Sequence, residues 1–65
     1  MRIAVQERDR GQPAWRPAFS VIVDHPAARA LWKQMRAEAR RWRNQCEFSI
    51  LWKGRRYSVS ARDFV

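Results

Sequence analysis

The sequence predicts an α+β domain: an antiparallel sheet of about four strands, in the order strand, strand, helix, strand, strand, with one long helix packed on one face. Three observations carry this expectation. Residues 2–8, 19–23, 47–53 and 56–61 alternate in polarity or concentrate β-branched and aromatic side chains, as half-buried strands do. Residues 27 to about 44 contain no Gly, Pro, Val, Ile or Thr and are dominated by good helix formers. Gly and Pro fall only between or at the ends of these segments, at 11, 13, 17, 26 and 54.

In the first strand Ile3 and Val5 share one side, with Arg2, Gln6 and Arg8 on the other. Asp9 to Pro17 has no period and reads as a loop, with Trp15 either folded back onto the core or left as a contact residue. Phe19, Val21 and Val23 share a face of the second strand, which forms a hairpin with the first across that long loop. Asp24-His25-Pro26 is a helix start, because proline lacks the N–H that would be unpaired in the first turn and aspartate caps free amides. Ala28, Leu31, Met35, Ala39, Trp42 and Cys46 recur at three- and four-residue steps, which makes them the buried stripe, with Trp32 at its margin. Phe48, Ile50 and Trp52, then Tyr57, Val59 and Ala61, form a second hairpin. A Gly54-Arg55 turn pairs Trp52 with Tyr57, Ile50 with Val59 and Phe48 with Ala61. A Lys53-Gly54 turn keeps the same face but puts Lys53 in a strained backbone, so the first register is expected. Arg62 to Val65 form a tail.

A chain of 65 residues makes one domain, and at this size folding hides only about 60% of the surface of the extended chain. The core is therefore thin, and four tryptophans (Trp15, Trp32, Trp42, Trp52) supply the bulk. Cys46 and His25 are each the only residue of their kind. No intrachain disulfide and no zinc-type ligand set can be built from them, and a lone thiol fits a reducing compartment. The N-terminus reaches a charge before it could supply the apolar stretch of a signal peptide, and no run approaches membrane-span length, so a cytoplasmic protein without a membrane partner is expected.

The formal net charge is +8. Between Pro26 and Arg56, nine Lys or Arg face only Glu38 and Glu47, whereas the remaining segments hold five cations against four acids. Twelve of the fourteen cations are Arg, which a GC-rich genome would favour; codon bias does not account for the scarcity of acids in the middle of the chain.

On the helix, Arg29, Lys33, Arg36, Arg40 and Arg43 step by 4, 3, 4 and 3. They form one row about 20 Å long, roughly opposite the apolar stripe. Like charges at these spacings each cost an isolated helix a few tenths of a kcal/mol, and stability alone would have interleaved acids. The row is either a solvated face or a surface for phosphates or carboxylates, onto which guanidinium groups fork; the missing acids favour the second. Lys53, Arg55 and Arg56 form a second basic group at the hairpin tip, beside Trp52 and Tyr57. Those two rings point to the core side, which favours packing over stacking on bases.

His25 beside Pro26 fits a structural or exposed role, and Cys46 a buried, inert thiol. With no phosphate-cradling glycine loop, no carboxylate pair and no nucleophile–base spacing, neither an enzyme nor a cofactor is expected. The length, the central Pro26 to Asn44 helix with its Arg row and the Phe48 to Ala61 hairpin resemble in outline the small phage-encoded anti-CRISPR proteins, specifically their basic members. That resemblance implies a cytosolic, non-catalytic inhibitor docking on a Cas subunit or other acidic surface and blocking nucleic-acid binding. The residues themselves point first to a nucleic-acid binding module with low sequence specificity. Binding to an acidic protein or nucleoprotein complex is the second reading, and a homodimer burying Trp32, Ile22 or Leu51 the third.

Overall fold

The computed structural model describes residues 1–59. Its elements follow the expected order: β1 (Arg2–Asp9), β2 (Arg16–Ile22), α1 (His25–Arg41), β3 (Cys46–Trp52) and β4 (Arg55–Ser58). The strands form one antiparallel sheet ordered β2-β1-β3-β4. β1 is thus central, and its period-two pattern explains why. Val5 lies between Phe19 of β2 and Ile50 of β3, and Ile3 lies opposite Val21, so the inward residues of three strands meet on one face. Ala18 is the extra residue of a bulge in β2, where the register shifts after Val5.

The core is as thin as the length demands. Ile3, Val5, Ala28, Met35, Ile50 and Val59 are its buried apolar residues among those described. At about 1.5–3 kcal/mol for each large side chain fully buried, such a core leaves little margin. Leu31, Trp32, Ala39, Phe48, Trp52 and Tyr57 extend it as half-buried neighbours. α1 lies mainly over β3, which leaves Phe19 on the outermost strand 41% exposed.

The start of α1 is as the sequence dictates. The Asp24 carboxylate accepts from the Ala27 N–H at 2.9 Å, its carbonyl accepts from the Ala28 N–H at 2.9 Å, and Pro26 sits in the first turn. The end comes earlier than expected, at Arg41 and not near Asn44. Trp42 is the C-cap, and its carbonyl accepts from the N–H groups of Gln45 and Cys46 as the chain turns back. Arg43, Asn44 and Gln45 are compatible with helix. What stops it is the ladder: Cys46 pairs with Asp9, and the Arg10 N–H donates to the Gln45 carbonyl.

Two members of the expected stripe are displaced by this early stop. Cys46 opens β3 and does not continue the helix, and Trp42 is 38% exposed, its Nε1 donating to the Glu38 carboxylate at 3.0 Å. The cationic row is displaced as well. Arg36 lies over the Trp32 ring and is half-buried, so the row runs along a flank of the helix beside the stripe and not opposite it. The 3.6-residue period gives the same answer, placing the centre of the row about 100° from Ala28 and Met35.

The second hairpin adopts the register that was not expected. Its turn is Lys53-Gly54, with φ of 51° and 73°, and the pairs are Trp52 with Arg55, Leu51 with Arg56, Ile50 with Tyr57 and Ser49 with Ser58. Two consecutive positive φ values are what a two-residue turn needs to match the strand twist, and the Gly54-Arg55 alternative would put that demand on an arginine. The strain at Lys53 is accepted for a register that brings Tyr57 beside the core residue Ile50. Lys53 also lies 4.9 Å from the Trp52 ring centroid. The expected partner Ala61 and the tail Arg62 to Val65 lie outside the described residues. A Cβ added at Gly54 would meet nothing within 4 Å. Gly54→Ala is therefore expected to destabilise by about 1–2 kcal/mol through backbone strain alone, measured by urea unfolding against the parent with an unchanged m-value.

Candidate functional site

The eight cations singled out in the sequence do not form one patch. Arg29, Lys33 and Arg40 are exposed along α1, with Arg36 half-buried between them and Arg43 exposed just past the end of the helix. Among the described residues, Lys33, Arg36, Arg40 and Arg43 meet no carboxylate. Lys53 and Arg55 lie at the hairpin tip. The edge-to-face contact of His25 with Trp52, at 6.5 Å between centroids, sets that tip beside the first turn of α1. Arg55 lies 5.2 Å from the Tyr57 ring and shares the helix side of the sheet with it. Arg56, one residue on, faces the other side, so the sheet separates it from Arg55.

On that outer side the structure contains an arrangement the sequence did not reveal. The guanidinium carbons of Arg8 and Arg56 lie 4.4 Å and 4.6 Å from the Trp15 ring centroid. β1 and β4 are separated by β3, so the indole stands over β3 between an arginine from each neighbouring strand. Ser49 beneath is only 2% exposed, and its Oγ accepts from Arg56 Nη1 at 2.7 Å. Arg8 Nε donates to the Glu47 carboxylate across the ladder. Of the two roles open to Trp15, it folds back, but onto the outer face and not the core.

The acids among the described residues have partners other than Lys33, Arg36, Arg40 and Arg43. Arg16 donates to Glu7 at 3.3 Å and to Asp9 at 2.9 Å, on the β1–β2 side. Asp24 caps the helix, Glu38 accepts from Trp42, and Glu47 accepts from Arg8. The hydrogen bond and charge of Arg16 hold the Asp9 carboxyl below its ordinary range, and Asp9 in turn raises the Arg16 guanidinium. Cys46 shares that end of the sheet. Burial, then the nearby Glu7 and Asp9 charges, push its thiol up, partly offset by Arg16. A raised thiol carries little thiolate at neutral pH, in keeping with an inert cysteine.

Arg8 and Arg10 escaped sequence reasoning because their segment is close to neutral, and Trp15 was noticed without its arginine partners. The available signal was the outward position of Arg8 on β1. His25 is exposed at the helix start, and of the apolar residues weighed for a dimer, Ile22 is 75% exposed while Trp32 and Leu51 are half-buried. No helix among the described residues is long and apolar enough to cross a membrane. Compared with known proteins, the chain matches no family model, no curated protein and no solved structure.

Two measurements check this geometry. The Asp9 carboxyl, followed by NMR, is expected to titrate below 3.8 and to move up toward that value in Arg16→Gln. Because the folded pKa is the lower one, the pair stabilises the fold above the unfolded carboxyl's pKa, and that contribution disappears as pH falls through the folded midpoint. Trp15→Ala removes two cation–ring contacts and uncovers Ser49. It is expected to cost about 1–3 kcal/mol in urea unfolding and to raise the amide exchange rate of β4 before that of β1.

Proposed function

We propose that the protein binds nucleic acid through its cationic helix flank, gripping the phosphate backbone with low sequence specificity. The observation that supports this best is the row itself: Arg29, Lys33, Arg36 and Arg40 at three- and four-residue steps over about 16 Å of helix, continued by Arg43 past its end, with Lys33, Arg36, Arg40 and Arg43 meeting no carboxylate among the described residues. Acids are present in the fold but are used elsewhere, in a cap, a cross-strand pair and the Arg16 cluster. A face kept free of them at a cost to helix stability is suited to an anionic polymer, whose condensed counterions are released on binding. Lys53 and Arg55 prolong the cationic surface past the first turn of α1. The role is binding and not catalysis.

Lys33→Glu with Arg40→Glu tests the reading without disturbing Arg36 on Trp32. The double variant is expected to weaken duplex DNA binding more than tenfold near physiological salt, in fluorescence anisotropy. The parent should show a log–log salt slope near −0.9 per phosphate contacted. Unchanged binding in the variant would reduce the row to a solvated face, and binding of the parent only at very low salt would redirect the search to an acidic protein partner.

A further inference from the structure

The groove at the far end of the helix row is a different kind of site. It has a volume of about 540 Å³ and runs between the last turn of α1 and the outer face of the sheet, within the range of about 300–1,000 Å³ common to small-molecule sites. It forms there because β4 is shorter than β3. Among the described residues the β3–β4 ladder ends at Ser49 and Ser58, leaving Phe48 and Glu47 beyond it.

Four arginines from four parts of the chain reach this groove: Arg8, Arg10, Arg43 and Arg56. Three of them are held in place. Arg8 is fixed by Trp15 and Glu47, and Arg56 by Trp15 and Ser49. Arg10 Nη1 donates to the Arg43 carbonyl at 2.6 Å. Each of these groups makes one hydrogen bond among the described residues, which leaves most of its five N–H donors for a ligand, and the side-chain entropy of ordering has already been lost. Among the described lining residues Glu47 is the only acid, against four arginines, an excess of about three positive charges. Phe48 and Val59 provide an apolar wall.

We infer that this groove takes a phosphate monoester carrying a planar base, either the phosphorylated end of a single strand or a free nucleotide. Several guanidinium groups held in place around one groove favour a dianionic terminal phosphate over the single charge of a backbone diester. The phosphate takes the arginine end and the base the Phe48 and Val59 wall, since Arg8 and Arg56 already occupy the Trp15 ring. Arg43 belongs to both the row and the groove, so a strand lying along α1 would deliver its end here. The strand-end form rests on the proposed function; the free-nucleotide form does not.

Equilibrium binding of AMP, adenosine, inorganic phosphate and a short oligothymidylate, with and without a terminal phosphate, tests this on the full chain. AMP is expected to bind at least tenfold more tightly than adenosine or inorganic phosphate, and the terminal phosphate to strengthen oligonucleotide binding about tenfold. Arg10→Gln and, separately, Arg56→Gln should remove that gain while leaving the unphosphorylated strand within about twofold. Oligonucleotides bound equally with and without the phosphate, together with no AMP binding, would overturn the groove reading while leaving the backbone reading intact. AMP binding without strand binding would support the groove as a free-nucleotide site and overturn the backbone reading. Inorganic phosphate binding as tightly as AMP would exclude any role for a base.

Discussion

The packing of Trp15 between Arg8 and Arg56 is the contact on which the rest of the molecule depends. Its two ring-to-guanidinium distances together nearly equal two inter-strand spacings of about 4.8 Å each, so one indole fills the space between strands on either side of β3. The helix covers the inner face of the sheet, and among the described residues no second layer of secondary structure covers the outer one. A single tryptophan from the first loop does that work in part, burying Ser49 and holding two long side chains extended. Without it, the thin inner core would have to hold the sheet alone.

The same solution recurs around the molecule. Six cation–ring contacts occur among the 59 described residues, against three carboxylate ion pairs. Aromatic faces thus take up part of the attraction that carboxylates usually provide. A ring does not neutralise the cation it meets, so the chain obtains packing order from its arginines and retains their charge. An acid in each of those places would have stabilised similarly and cancelled the surface potential.

Much of the fold could be read from the sequence because it depends on local rules. The alternation around Ile3, Val5, Ile50 and Trp52, the Asp24-Pro26 start and the Gly and Pro positions all act over a few residues. The features that escaped depend on distant partners. Arg43, Asn44 and Gln45 give no stop signal, and the helix ends at Arg41 because Cys46 is claimed by Asp9 on β1. The hairpin register turned on Lys53 accepting a left-handed backbone. The exposed row was legible as a periodic pattern, but its flank position became clear only with Arg36 over Trp32. Arg8 and Arg10 became site candidates, and Trp15 acquired its partners, only once β1, the first loop and β4 were brought together.

The placement of the acids has one more consequence. Glu7 and Asp9 lie with Arg16 at the β1–β2 side, and Glu38 is on the helix flank away from the row, so none of these three acids offsets the cations of that flank. The positive potential there is stronger than the same net charge spread evenly would give. In the field of a polyanion the molecule would be turned as well as drawn in, arriving with the helix flank foremost, so a larger share of diffusional encounters begins in a productive orientation.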